Sequence, residues 1–547
     1  MSSKPFQMPL QNKPNNPSEE DLTATAEGSS SPNTSTEHEY QGNQPFKAGS
    51  VERRAFTATI YAHAGKFGNS LLSFPITFLI IKALSEEDFG AYNIFLSVLF
   101  FSSILSNLGT LGVLQRYIPE FLEKRQNNNV RKTIKLASAL RLAGGLLFVS
   151  VFIGFTDSIA SWLNLPAVYT DYAFLVSLLI LATIEVQTLG DGILGAMLDQ
   201  KSVAAGRMIS NLSLLIIVYL ALNFDYGLKG IITARLIAFS GLLVFYAARV
   251  YRLSLRGKVS EDPPLPYRRM VRYGGFYLAG VFGTFFYDIA IDNFVIAHYW
   301  GASDVGKYTF AVFVATLAGF LFPMRLITPI VVNVAIRRYA ATGRTDALCR
   351  MFSFFNKLVL FGILPAIVGI FVLSDEIVVL IFDQRYASTS SLVGLIVVFS
   401  LFRYLTFAFQ ILIKPLEILH LSLFQYGCSA LNLVLDLWLI PRLGLQGAAL
   451  ATGFTVALNY AVLYVLVRRR VSIHTDWNGI LRIFLNLAIM TGAVLLLRDW
   501  ISGVISLFLV IGASGGLYFV SSYMNKVFTE SERRLINGMV GRSICVF

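Results

Sequence analysis

Beyond residue 50 the chain alternates between apolar stretches of about twenty residues and short polar connections, and the alternation continues almost to its end. A helix of that length crosses the hydrocarbon core of a bilayer, and only helices or closed barrels can satisfy their backbone there. The pattern predicts spans near 56–81, 91–113, 136–155, 171–191, 204–223, 228–249, 273–298, 306–333, 354–373, 390–413, 421–440, 446–467, 479–497 and 501–523. The predicted fold class is therefore an all-α polytopic membrane protein of about 14 transmembrane helices. Residues 1–50 follow no such pattern. They run through Pro, Ser, Thr, Asn and Glu without aliphatic clusters and are expected to form a disordered cytoplasmic tail. No charged-then-apolar leader stands at the start, so the first span is expected to double as the targeting signal.

The spans carry an internal repeat. Asp88-Phe89-Gly90-Ala91-Tyr92 is echoed by Asp304-Val305-Gly306-Lys307-Tyr308. Gly227-Leu228-Lys229-Gly230 is echoed at almost the same interval by Gly444-Leu445-Gln446-Gly447, and Arg116-Tyr117 at a slightly longer one by Arg338-Tyr339. Three matches in one order at nearly one spacing argue for two homologous halves of a transporter.

Charge fixes the expected orientation. Cations gather in alternate connections: Arg116 to Lys135, Lys201 and Arg207, Arg249 to Arg272, Arg337 to Lys357, and Arg468 to Arg470. The intervening connections hold at most one each, such as Lys82, Lys229, Lys307, Arg385, Arg442 and Arg498. The positive-inside rule then places both termini in the cytoplasm. Both Asp-x-Gly-x-Tyr phrases consequently face outside, which makes the halves parallel repeats of six spans. The expected organisation is a tail (1–50), a first lobe (51–250), a cytoplasmic linker (251–272), a second lobe (273–470), two further helices (471–525) and a cytoplasmic C-terminal tail (526–547).

Composition agrees: 55% of residues are hydrophobic and 14% charged, and the mean hydropathy is +0.62. The net charge of +12 is accounted for by topology and implies no nucleic-acid partner. Cys349, Cys428 and Cys545 have neither metal nor disulfide spacing. No metalloprotease, phosphate-loop or serine-elbow motif is present, so an enzyme is not expected and no cofactor is implied.

Charges inside the spans are the candidate chemistry, because they are costly in a membrane and commonly face a cavity or a partner. Lys66, Arg235, Arg325 and Arg403 are distributed over both halves and could line one anion-binding cavity, a diphosphate suiting arginine through bidentate contacts. Each could instead neutralise a carboxylate. Glu185, Asp288, Asp292 and Asp436 are candidates for proton or sodium coupling. Asp288 and Asp292 are i, i+4 on the expected helix. Asp292 and Asn293 could instead anchor its outer end, which leaves Asp288 as the stronger candidate. Asn69, Asn93, Asn107, Asn432 and Asn459 suit interhelical hydrogen bonding. Pro75, Pro323, Pro329 and Pro365 are expected to bend their spans, and two of them bracket Arg325.

Leu84 to Tyr92, Leu105-Ser106-Asn107-Leu108-Gly109, Asp292 to Ile296, Val305 to Tyr308 and Pro441 to Ala449 resemble segments of Wzx-type polysaccharide and O-antigen flippases, within the multidrug/oligosaccharidyl-lipid/polysaccharide exporter superfamily. The resemblance runs over about residues 53–525. It implies a V of two six-helix lobes around a cationic cavity, plus two C-terminal helices that accommodate a lipid tail. It further implies that an undecaprenyl-diphosphate-linked oligosaccharide is turned from the cytoplasmic to the outer leaflet of a bacterial inner membrane by alternating access. Membrane lipid, and a polysaccharide polymerase with other assembly enzymes, would be its partners. In related lipid II flippases essential cations sit on the first and eighth helices, the helices of Lys66 and Arg325 here. The rival expectations are a cation-coupled multidrug exporter of the same superfamily and, from another class, a membrane glycosyltransferase or polysaccharide polymerase.

Overall fold

The structure is a computed structural model that describes residues 48–537, apart from 256–260, 286–287, 323, 419–420, 422, 474, 531 and 535–536. The expected tail before residue 48 and Cys545 lie outside the described residues. The chain divides into two units, Met1–Val51 and Glu52–Phe547. All regular structure among the described residues is helical. The first half comprises α1 (Ala48–Ala83), α2 (Glu86–Leu105), α3 (Thr110–Glu123), α4 (Asn127–Gly154), α5 (Thr156–Trp162), α6 (Ala173–Gln187), α7 (Gln200–Asn223) and α8 (Gly227–Val250). The second runs through α9 (Tyr267–Phe285), α10 (Ile289–Trp300), α11 (Ala302–Leu321), α12 (Met324–Thr342), α13 (Thr345–Val372), α14 (Ser374–Glu376), α15 (Ser390–Thr406), α16 (Gln410–Ile413), α17 (Leu423–Leu443) and α18 (Leu445–Arg468). Two more, α19 (Trp477–Leu497) and α20 (Val504–Asn525), follow.

Twelve helices among the described residues are long and apolar enough to cross a membrane. The spans expected near 273–298 and 306–333 are built differently, each from two shorter helices, α9 with α10 and α11 with α12. The α11–α12 break falls at Phe322, whose backbone is extended, next to the proline expected to bend it. The α2–α3 break has its own local cause. Leu108 and Gly109 both take positive φ, and the Asn107 carboxamide accepts the Leu111 N–H at 3.1 Å, satisfying an amide that the break frees. Asn107 is thus a cap, not interhelical glue.

The repeat is visible in the geometry. Gly227 and Gly444, equivalent positions of the repeated phrase, both take positive φ at the turns joining α7 to α8 and α17 to α18. The face of the bundle where α1 gives way to α2 is called distal below, and the opposite face proximal. Distally, α2 and α11 cross so closely that a Cβ on Gly90 would lie 1.7 Å from the Ala302 carbonyl oxygen, and one on Gly306 2.2 Å from that of Glu86. Arg385 strengthens this closure by donating to the carbonyls of Ile81, Lys82 and Leu84, the last acceptors of α1. Proximally, α3 packs on α9. A Cβ on Gly109 would lie 2.2 Å from the Gly274 oxygen, Tyr117 meets Tyr273 edge-on, and Glu120 pairs with Arg269 at 3.3 Å.

The last two helices dock on α13. Ile483, Leu487, Met490 and Tyr518 share a buried cluster with Phe354, Phe361 and Leu364. Lys357, almost wholly buried, is held there by Asp476 at 2.6 Å and Glu532 at 2.8 Å.

Candidate functional site

Two of the intramembrane carboxylates meet. Asp292, on α10, and Asp436, on α17, are far apart in sequence yet stand close enough to share a proton. Both are fully enclosed, at 4% and 0% exposure. Tyr308 of α11 donates to Asp292 Oδ2 at 2.6 Å, and Thr452 of α18 does so at 3.4 Å. Asn432, one turn before Asp436, donates to Asp436 Oδ2 at 2.8 Å and accepts from Thr455 at 2.8 Å. Asp436 Oδ1 is buried without a hydrogen-bond partner. The sequence builds this locally in two ways. Asn432 and Asp436 are i, i+4 and therefore share a face of α17. Gly447 lets the start of α18 press against the α17 backbone, since a Cβ there would lie 2.5 Å from the Leu439 oxygen.

The chemistry follows from burial. Two enclosed carboxylates cannot both remain charged without a proton between them or a cation upon them. The surrounding donors are oxygens from carboxylates, a carboxamide and hydroxyls, a set that suits a hard cation and not a soft metal. Among the described residues no three His, Cys, Asp or Glu side chains gather as a metal cluster.

Asp288 and Asp292 exchange the roles expected of them. The i, i+4 relation assumed a continuous helix, but the span is broken just before Ile289. Asp288 is the cap, accepting the Ala290 N–H at 3.1 Å. Asp292, one turn inside, enters the buried polar site. Asp288 also feels the charge of Arg403, which lies exposed on α15.

The remaining candidates are dispersed. Glu185, half-buried on α6, has a buried Oε1 without a hydrogen-bond partner and faces Arg141 of α4. Arg141 is 1% exposed and donates to Gln187 at 3.2 Å, while its Nε and Nη1 have no hydrogen-bond partner. Sequence reading missed it, although a charge a few residues inside an apolar span was the available signal. Arg235 is occupied by Tyr92, to whose hydroxyl it donates and over whose ring it lies at 5.5 Å. Lys66 is exposed on α1. Arg325 belongs to α12, and its side chain lies outside the described residues. None of the described contacts joins Lys66, Arg235 and Arg403.

A cavity of about 750 Å³ lies between the halves. Phe101, Leu147 and Phe148 on one side and Phe294, Leu433 and Leu437 on the other line it. Its wall is apolar except near Trp162, His298 and Tyr299, where the His298 ring meets the Trp162 carbonyl oxygen at 2.7 Å.

A family profile described as "Polysaccharide biosynthesis protein" matches residues 80–391. The chain belongs to the polysaccharide biosynthesis protein family. The match begins in α1 and ends in α15, and so includes α10 and α11 but not α17 or α18. No curated protein matches this family member in sequence. Solved structures do match in fold. The lipid II flippase MurJ in an inward closed conformation is similar at a TM-score of 0.65 and 15% identity, covering 89% of this chain and 100% of MurJ. An inward-facing multidrug resistance MATE family transporter of the MOP superfamily is similar at 0.58 and 16%, covering 73% and 94%. An outward-facing one is similar at 0.50 and 14%, covering 77% and 95%. The family member thus has the fold of the MOP superfamily transporters and is a multi-pass membrane protein.

Proposed function

We propose that this chain is a flippase that moves an undecaprenyl-diphosphate-linked glycan across a bacterial inner membrane by alternating access. The observation that carries the reading is membership in a polysaccharide biosynthesis family by a chain whose fold matches a lipid flippase over the whole of that flippase's length. In this reading the proximal face is cytoplasmic, as the cation distribution implies. The sugar diphosphate enters from that face while α2 and α11 remain crossed. Lys66, Arg325 and Arg403 hold the phosphates, and the lipid chain stays at membrane depth, where the apolar cavity between the lobes offers it a wall. Rocking of the lobes then uncrosses α2 and α11 and releases the head group outside.

The Asp292–Asp436 site supplies the coupling. A proton or sodium ion bound there neutralises the carboxylates and changes which packing of α10, α17 and α18 is favoured, which is how a ligand shifts a two-state equilibrium. The test is a proteoliposome assay with a fluorescent undecaprenyl-diphosphate oligosaccharide, reading its accessibility to an external glycosidase. Lys66→Gln, Arg325→Gln and Arg403→Gln should each slow translocation at least tenfold. Undiminished translocation by all three would remove the phosphate clamp from the mechanism.

A further inference from the structure

The residue immediately following Asp292 reaches into the other lobe. Asp292 and Tyr308 bond to each other on the second-lobe side. Their successors, Asn293 and Thr309, also meet, Thr309 donating to Asn293 Oδ1 at 3.3 Å. Asn293 Nδ2 donates to Ser97 Oγ of α2, in the first lobe, at 3.1 Å. Ser97 completes the chain by donating to the Asn93 carbonyl at 2.9 Å. Asn293 and Ser97 are 2% and 3% exposed. Of the side-chain hydrogen bonds between the lobes among the described residues, this one joins two buried partners, whereas those of Arg385, Ser303 and His298 lie nearer the surface.

Successive helical residues point about 100° apart. Asp292 therefore faces α17 and α18 while Asn293 faces α2, and neither can be reoriented about the α10 axis without moving the other. We infer that the Asn293–Ser97 hydrogen bond, braced by Thr309, is the link by which occupancy of the carboxylate site governs the α2–α11 crossing. The inference rests on the ion-coupling part of the proposed function and names how that site acts at a distance. In the site's present arrangement the link holds the lobes together. When a cation draws Asp292 and Asp436 into new positions, α10 turns, Asn293 leaves Ser97, and two buried polar groups lose their partners. That loss weighs about tenfold or more against the crossed state. Asn293 and Ser97 are accordingly positioning residues that never touch the ion.

The experiment uses the full-length protein in nanodiscs with Cys349, Cys428 and Cys545 replaced and spin labels at Tyr226 and Leu443, exposed distal positions in opposite lobes. Pulsed dipolar distances give the crossed and uncrossed populations, with sodium against choline and across pH. Thermal unfolding gives ion binding independently, since a ligand of the folded state stabilises it. The parent should show both ion-dependent stabilisation and an ion-dependent shift in populations. Ser97→Ala and Asn293→Ala should retain the stabilisation and lose at least nine-tenths of the shift. Ser97→Thr, which keeps the hydroxyl, should restore it, and Asp292→Asn should lose both. A residue of merely structural importance would lower the unfolding temperature and leave the shift intact. An undiminished shift in Ser97→Ala, the milder truncation, overturns the inference while leaving ion coupling standing. A parent with neither response overturns the coupling reading and the inference with it.

Discussion

Replacing Gly90 by alanine should open the distal face. The added Cβ would sit 1.7 Å from the Ala302 oxygen, 2.6 Å from its carbonyl carbon and 2.9 Å from the Gly306 nitrogen, against an ordinary contact of 3.4–4 Å. All three obstacles are backbone, so no side chain can rotate away, and α11 must retreat by more than about 1 Å. Overpacking of this kind costs about 1–3 kcal/mol, and a rigid obstacle places it near 3. Because the strain exists only while the helices are crossed, it enters the crossed/uncrossed equilibrium in full, as a shift of about 100-fold. Gly109→Ala should act in the opposite sense. Its Cβ would lie 2.2 Å from the Gly274 oxygen across the α3–α9 contact, so it should favour proximal opening. Two label pairs, Tyr226 with Leu443 distally and Lys132 with Thr342 proximally, report the two gates in the same sample. Gly90→Ala should lengthen the distal distance and Gly109→Ala the proximal one. If both variants shift the pairs in the same direction, or neither shifts its own by threefold, then the glycine contacts are not the gates.

The carboxylate site should trade stability for function. Asp436→Asn removes one of two enclosed carboxylates that cannot both stay charged and should raise ion-free thermal stability by about 1 kcal/mol while abolishing ion-dependent transport; a stability loss together with retained coupling would contradict the site. Lys357→Met should undock the C-terminal segment, because it strands Asp476 and Glu532. Breaking a buried pair costs about 3–5 kcal/mol, reduced here to about 2 because Asp476 is 35% exposed, and limited proteolysis after residue 525 would detect it. The same latch should be pH-dependent. Burial raises the Asp476 pKa, but the bonds from Lys357 and the Gly479 N–H outweigh it and hold the carboxyl below its ordinary range. A depressed folded pKa gives stability that is present above the unfolded value and lost as pH falls through the folded one, so protection should fade below about pH 4 and stay flat above it. Glu120→Gln should matter little. The Lys124 bond and the Arg269 and Arg116 charges lower its pKa, yet partly solvated pairs contribute about 0.2–1 kcal/mol, so the proximal population should change less than about fivefold.

What was legible in the sequence, and what was not, divides at the breaks in the helices. Hydropathy located twelve of the fourteen expected spans, because burial in lipid is a property of about twenty residues together. It could not show that the span carrying Asp288 and Asp292 resumes at Ile289, and so it exchanged cap and site. Nor could it pair Asp292 with Asp436, since that meeting is made by packing between α10, α17 and α18. Arg235 stood as a candidate for the anion cavity because nothing in its neighbourhood of sequence reveals Tyr92, 143 residues away.

The duplicated Asp-x-Gly-x-Tyr phrases carried more than a count of halves. Gly90 meets Ala302 and Gly306, while Gly306 meets Glu86 and Gly90. Glu86 stands to Ala302, and Gly90 to Gly306, at the same interval that separates Asp88 from Asp304 in the repeated phrase. Equivalent atoms therefore face each other across one local axis, as a parallel repeat requires. The glycines sit where the chain meets its own repeat, and a side chain there would collide with the repeat-related backbone. The tyrosines have since diverged. Tyr92 accepts from Arg235 within the first lobe, whereas Tyr308 donates to Asp292 in the second. The same phrase thus serves two local structures, and the polarity of its tyrosine bond distinguishes the lobe that holds Asp292 from the lobe that holds Arg235. Exchanging those polarities, by Arg235→Glu or Asp292→Arg, should abolish transport; a functional variant of either kind would show that the two tyrosines remain equivalent.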